Sequence, residues 1–494
     1  MVRRAAAFVA IIALLVTACN RNSPTATKAS PPPVPAPQPL VWSDCGDGFQ
    51  CGWVQVPLDY AHPNAATINI AINRLPATDP TNRIGSLLFN FGGPGIPGVQ
   101  VLHGAGSYFS NLNRRFDLVG FDPRGVGQSS PVRCLTAVQQ DAANSSGDVV
   151  LDDPQEKQAS IQGAKDYAAA CLKRSGNILP FVDTQSAARD MDVIRAALGD
   201  TKLTYLGFSY GTMLGQAYAH LFPTHVRALS LDGVEDPNLS AIDFQLAQVV
   251  GFEQSLQAFL TDCRARKSTD SPCTYAQTSD PETKLLALDA RLDKSPMAVG
   301  DRTLTRPMAQ IAVLAELYDP SSWPNLDQML TEADRGDGTK LLAVADDYNG
   351  RGADGQYNNG ADAISAITCL DQPVPTDVAV YDALGAAYAK ASAFFGPGQQ
   401  YTGLGCVYWP VKATGHVGPL TADGAPPILL VGGTGDPATP FVWAQNVNRS
   451  LAGSVLLARN GNGHISYNKS ACAQQAEDAY LINLTLPAVG TVCN

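Results

Sequence analysis

An α/β fold built on a mostly parallel sheet is what this sequence predicts, and three observations predict it. Short apolar runs recur, each ending in a glycine-rich turn: IGSLLFNFGGPGIPG (84–98), FDLVGFDPRGVGQS (116–129), VRALSLDG (226–233), APPILLVGGTGD (425–436) and GSVLLARNGNGH (453–464). Helical stretches alternate with these runs, the rhythm of buried strands joined by crossover helices. In the third, LTYLGFSYGTMLG (203–215), an apolar run stops at Gly207, Ser209 lies between Gly207 and Gly211, and an Ala/Leu-rich segment follows. A serine set between glycines at a sharp strand-to-helix turn is lifted off the end of a buried strand, where its hydroxyl can act as a nucleophile.

In chain order, residues 1–18 read as an export signal, with Arg3 and Arg4 ahead of an apolar core from Ala5 to Val16. Val16-Thr17-Ala18-Cys19 reads as a lipoprotein cleavage box, making Cys19 the lipid-bearing first residue of the mature chain. The competing reading is a plain secretory signal with an incidental cysteine. Residues 19–40 carry six prolines between Pro31 and Pro39 and form no core, so they serve as an extended tether. The chain is therefore expected in the cell envelope, lipid-anchored to the outer face of the plasma membrane. Ten of the 11 cysteines remain after Cys19, an even number suited to disulfides outside the cytoplasm. Ten cysteines allow several hundred connectivities, which the sequence alone does not fix; the expectation is pairing of sequence neighbours, Cys45–Cys51, Cys134–Cys171, Cys263–Cys273, Cys369–Cys406 and Cys472–Cys493. No CxxC spacing suggests a metal site, and no cofactor is expected. The net charge of −11 argues against a nucleic-acid partner, which requires a basic face.

WVQVPLDY and INIAINRL alternate as two antiparallel strands, opening a core segment over 41–235. QSAARDMDVIRAALG (185–199) has helical spacing, stops at Gly199 and leads into the serine strand. From 236 to 405 the strand-then-glycine rhythm lapses, and helical stretches such as Phe244–Asp262 and Met308–Tyr318 take over. This segment reads as a helical cap inserted in the core, which resumes over 406–494.

A serine needs an imidazole to take its proton and a carboxylate to orient that imidazole. In α/β hydrolases they follow the serine in the order acid, then histidine. Of six histidines, His62 and His103 precede Ser209, and His220 and His225 lie in or just after the helix behind it. His416 precedes the best acid position, which leaves His464 in GNGHIS. Asp436 ends the preceding strand and is the expected acid; Asp232 is the runner-up. Thr439 either orients the Asp436 carboxylate or caps the next helix. The oxyanion hole needs two backbone N–H donors, expected from Tyr210 and from Gly93 in the Gly-Gly-Pro-Gly loop. That loop lacks the Lys-Ser/Thr ending of a phosphate-binding loop.

NFGGPG, FDPRGVGQS, LTYLGFSYGT, GDPATP and GNGH together resemble the secreted tripeptidyl aminopeptidase group of the prolyl iminopeptidase-like α/β hydrolases. The similarity spans most of residues 41–494, including a TAP-like C-terminal segment, and several actinobacterial members of the group are envelope lipoproteins. It implies an α/β-hydrolase fold with an inserted cap, and serine hydrolysis of peptide bonds near a free N-terminus through an acyl-enzyme. Phe91 stands where many iminopeptidases carry histidine, which separates this chain from strict prolyl specificity. An aminopeptidase must hold a substrate ammonium, for which Asp362 and Asp371 are candidate carboxylates; each also reads as an ordinary solvated or capping residue. A lidded carboxylesterase or lipase would use the same triad on esters, and an inactive envelope binding protein would keep the fold alone.

Overall fold

The computed structural model describes residues 36, 38–145, 154–268, 272–415 and 418–494. The export signal, Cys19, most of the proline tether and His416 lie outside the described residues. Ten strands form one sheet: β1 (Ser43–Asp44), β2 (Gln50–Pro57), β3 (Thr67–Leu75), β4 (Gly85–Asn90), β5 (Phe116–Phe121), β6 (Leu203–Phe208) and β7 (Val226–Asp232) from the first part of the chain, and three later strands. A small hairpin, β8 (Met297–Val299) and β9 (Arg302–Leu304), stands apart. β10 (Leu429–Gly435), β11 (Val455–Asn462) and β12 (Val492–Cys493) complete the sheet in the order 1-2-3-5-4-6-7-10-11-12. β1 to β3 pair antiparallel, β3 joins β5 antiparallel, and every pairing from β5 to β12 is parallel.

The central strands read as unbroken apolar runs because both faces are covered, and β4, β5 and β6 are buried along their whole length. Their two-residue period sorts the side chains. Leu88, Val119, Phe121, Tyr205 and Leu430 pack beneath the helices Thr184–Ala197 and Tyr210–Leu221, within one apolar cluster. Leu87, Phe89, Leu118, Leu206 and Leu429 face the opposite cluster, with the helices Gly98–Ala105 and Ala471–Asn483. The FDPRGVGQS loop is fixed by a buried ion pair: the Arg124 guanidinium donates to both Asp190 oxygens at 2.7 and 2.6 Å and to the carbonyls of Pro57, Leu58 and Phe181. Either charge left alone there would cost about 3–5 kcal/mol.

Between β7 and β10 the chain is mostly helical apart from the hairpin β8–β9, and most of it packs around its own apolar cluster running from Val249 to Phe395. The expected insertion 236–405 is nevertheless divided in its packing. Helix Gly360–Asp371 places Ala363, Ala366, Ile367 and Leu370 in the sheet-side cluster. Asn359 at its start donates to the carbonyls of Gly125 and Val132 and accepts from the Gly127 N–H. The hairpin β8–β9 and the helices Ala137–Ser145 and Pro154–Ser175, which intervene between β5 and β6, are elements the apolar pattern did not announce.

All five neighbour pairings of cysteines are formed: Cys45–Cys51, Cys134–Cys171, Cys263–Cys273, Cys369–Cys406 and Cys472–Cys493. Five bridges mark a protein that matures outside the reducing cytoplasm.

Candidate active site

Ser209 follows directly on β6 with φ 55° and ψ −125°, a conformation that side-chain-bearing residues seldom adopt. The turn holds because its surroundings over-determine it. The Ser209 N–H donates to the Asp232 carbonyl at 3.0 Å, and the helix Tyr210–Leu221 starts at the next residue. A Cβ on Gly207 would meet the Gly211 carbonyl oxygen at 2.5 Å, and one on Gly92 would meet Ser209 Cβ at 2.8 Å. The two glycines thus permit the elbow itself and the approach of the Gly-Gly-Pro-Gly loop.

His464 follows β11 and Asp436 follows β10, so the parallel pairing of those strands delivers both to one edge of the sheet. The His464 Nδ1 lies 2.9 Å from each Asp436 oxygen, which assigns the proton to Nδ1 and leaves Nε2 as the basic nitrogen. Asp436 also accepts from the N–H groups of Ala438, Thr439 and Ile465. Burial pushes this carboxyl up, but the His464 contact and the N–H donors outweigh it and hold it below the usual range, so it stays ionised. Thr439 Oγ1 lies 3.3 Å from His464 Nδ1, and the next helix, Phe441–Ser450, has Pro440 at its cap. Thr439 therefore serves the Asp436–His464 pair rather than the helix. A Cβ at Gly233 would stand 3.1 Å from His464 Cε1, so residues 232–233 carry the imidazole on one side and the elbow on the other.

Asp232 does not take the acid position. Its carboxylate accepts from the N–H groups of Ser466 and Tyr467 at 2.6 and 2.9 Å and supports the histidine loop from below. His62, His103 and His225 pair with Asp59, Asp47 and Asp192. His220 lines the pocket about 16 Å along the helix from Ser209.

Ser209, Tyr210 and Gly93 line a cavity of about 360 Å³ roofed by the inserted segment. Much of its wall is apolar, with Met213, Leu239, Phe244, Ile364 and Leu420. Two carboxyl groups interrupt it. Asp371 accepts from the Thr184 N–H at 2.8 Å and from Thr184 Oγ1 at 2.5 Å, and that hydroxyl is itself 2.5 Å from the Tyr210 hydroxyl. Burial drives Asp371 up to about 7, the Thr184 donors only partly opposing it. Glu235 is pushed up to about 8 by burial and by the nearby Asp371 charge. Among the described residues, neither carboxyl forms an ion pair with a cation.

Of the two acids expected from the sequence, the structure brings only Asp371 to this cavity. Asp362 lines a separate pocket and accepts from the Cys134 N–H and the Tyr167 hydroxyl. The two share helix Gly360–Asp371 but sit on opposite faces, because nine steps of about 100° amount to roughly half a turn beyond whole revolutions. Helical phase therefore separates them, an argument the sequence already allowed. Glu235, three residues past β7 in LDGVEDP, is not among the acids the sequence points to. It looks like one more acid in a solvated turn, whereas it is only 7% exposed.

A parallel sheet with a serine elbow and an Asp–His pair at its strand ends defines a serine hydrolase of the α/β class. A family profile described as "TAP-like protein" matches residues 392–493. Over 99% of this chain and 96% of the relative, the sequence is 35% identical to the serine protease Hip1 of Mycobacterium tuberculosis. It is 36% identical to carboxylesterase B of Mycobacterium tuberculosis, over 96% of this chain and 93% of that protein. With the tripeptidyl aminopeptidase of Streptomyces lividans, identity is 33% over 92% of this chain and 86% of that protein. The chain belongs to the TAP-like family of serine α/β hydrolases.

Proposed function

We propose that this hydrolase is an aminopeptidase that cleaves short peptides near their free N-terminus, with Ser209, Asp436 and His464 as its triad. The observation carrying this reading is the pair of buried carboxyl groups, Glu235 and Asp371, in the cavity that holds Ser209. A purely apolar acyl pocket has no use for two desolvated acids, whereas a substrate ammonium supplies the missing cation.

Ser209 Oγ attacks the scissile carbonyl while His464 Nε2 takes its proton. The Tyr210 and Gly93 N–H groups hold the oxyanion. His464 then passes the proton to the leaving amine, and water hydrolyses the acyl-enzyme by the same relay in reverse. Asp436 keeps the imidazole in the required tautomer throughout. The hydroxyl chain from Tyr210 through Thr184 to Asp371 links the oxyanion side of the site to the ammonium side.

The pH dependence tests this role. Below about 7 both acids are protonated, and their charge appears as pH rises through about 7 for Asp371 and 8 for Glu235. Affinity for an ammonium should grow over that window, until the substrate amine loses its own proton near pH 8. The kcat/KM ratio of a free-amine tripeptide amide to its N-acetyl counterpart should therefore rise from pH 6 toward 8. Glu235→Gln should lower that ratio roughly ten- to hundredfold, through KM. A ratio flat with pH and unchanged in Glu235→Gln would reject the aminopeptidase reading. A second reading, a carboxylesterase, is favoured by the apolar wall of Met213, Leu239, Phe244 and Leu420. Short acyl esters run beside the two peptides decide between them: the esterase reading requires turnover of the esters and none of either peptide.

We further propose that Cys19 carries a lipid holding the enzyme to the outer face of the membrane. Cys19→Ala should move the protein from the membrane fraction to the medium or leave its signal uncleaved. Unchanged partition of that variant into detergent would exclude the anchor.

A further inference from the structure

The loop that bears His464 is suspended by four consecutive backbone N–H groups. Those of Ile465, Ser466 and Tyr467 donate to carboxylates of the sheet domain, Asp436 for the first and Asp232 for the other two. The His464 N–H alone reaches into the inserted cap, donating to the Tyr318 carbonyl at 2.8 Å. Tyr318 lies in the turn between the cap helices Arg306–Leu317 and Trp323–Asp334, against Phe252 of the cap's own apolar cluster. Its ring meets the His464 imidazole edge-on at 5.4 Å.

The next residue makes the same connection by charge. Asp319 forms an ion pair with Lys469, five residues beyond His464, and also accepts the Ser321 N–H that closes its turn. The contact is close enough to require glycine at 463. A Cβ there would come within 2.9 Å of Pro320 Cδ, 3.1 Å of the Tyr318 carbonyl oxygen and 3.1 Å of Lys469 Cε. Gly463 also has φ +99°, a conformation suited to a residue without a side chain.

We propose that Tyr318 and Asp319 of the cap, together with Lys469, are positioning residues for the general base. They fix the backbone at His464 so that Nε2 stays directed at Ser209. This rests on the triad reading above. The sheet-domain anchors set where the loop leaves the core, and the cap anchor sets the pitch of the imidazole itself. Freeing that anchor would leave the Asp436–His464 pair intact but let the ring swing, and small misplacements of a catalytic group are costly.

The test uses the mature full chain with Asp319→Asn, which keeps the turn-capping oxygen, and Lys469→Met, which keeps the stem. Two readouts are the rate of Ser209 labelling by a fluorophosphonate probe and kcat against KM on a short acyl ester. Each variant should label about tenfold more slowly and lose a similar factor in kcat, with KM little changed. The double variant should be no slower than the singles to within about twofold, because both remove one interaction. Substitutions from the two sides of the pair keep the test readable if one of them disturbs folding, which thermal melting reports. Parent labelling rates in the folded single variants, or losses that multiply in the double, would overturn the proposal. His464→Ala serves as the control. If it labels at the parent rate, the triad reading fails; if only it is slow, the cap anchor alone fails.

Discussion

Ser209→Ala should abolish turnover, lowering kcat by roughly five to six orders of magnitude, and His464→Ala should do nearly the same. Without the hydroxyl no acyl-enzyme forms, and without the imidazole the hydroxyl keeps its proton. The double variant should be scarcely worse than either single one, because the two residues act as one unit. Residual activity over the uncatalysed rate would come from the Tyr210 and Gly93 donors and from binding alone. Steady-state kinetics on a peptide amide, with the active-site concentration fixed by titration of the parent enzyme, measures this directly. Parent-like rates from Ser209→Ala would sink the assignment of the nucleophile.

The second large effect concerns the acid. Asp436→Asn keeps an oxygen able to accept from the Ala438 and Thr439 N–H groups, so the loop should fold and bind substrate. Its amide, however, presents N–H to a ring nitrogen that must itself donate, and the imidazole is driven to the wrong tautomer. A loss of about 10⁴-fold in kcat with KM nearly unchanged is expected. Asp232 should not substitute, because its Oδ2 holds the Ser466 and Tyr467 N–H groups and the His464 Nδ1 faces Asp436 instead. Near-normal turnover in Asp436→Asn, lost only when Asp232→Asn is added, would transfer the role.

The parts of the fold legible in the sequence are those fixed locally. A strand buried on both faces must be apolar throughout, so β4 to β7 announce themselves. The elbow requires glycines at fixed offsets from Ser209, whereas bridges such as Cys134–Cys171, whose partners are 37 residues apart, are set by the fold and not by the sequence. Placement of side chains by tertiary packing was less accessible. Glu235 matters because Asp371, far along the chain, is folded against the same cavity, and nothing around LDGVEDP foretells that burial. Helix Gly360–Asp371 reads as one more cap helix, yet the polar groups of Asn359 and Asp362 find their partners in the sheet domain. Helices Ala137–Ser145 and Pro154–Ser175 are predominantly polar, and the buried face of the second, Ile161, Ala168 and Cys171, is made mostly of small residues and is too weak a stripe to stand out.

That placement of helix Gly360–Asp371 separates two kinds of selectivity. Asp371 is carried on a helix pinned to the sheet domain by Asn359 and Asp362, and tied at Cys369 to Cys406. Phe244 and Leu239, which shape the apolar wall, belong instead to the stretch just after β7. Exchange of residues 236–348 between relatives would then alter the Leu239 and Phe244 side of the pocket while, on the proposed reading, the Asp371 carboxyl that meets an amine stayed in register with Ser209. On the aminopeptidase reading, such an arrangement would let a lineage change which residues it accepts without relearning which end of a chain it grips, and would make the two traits separately heritable.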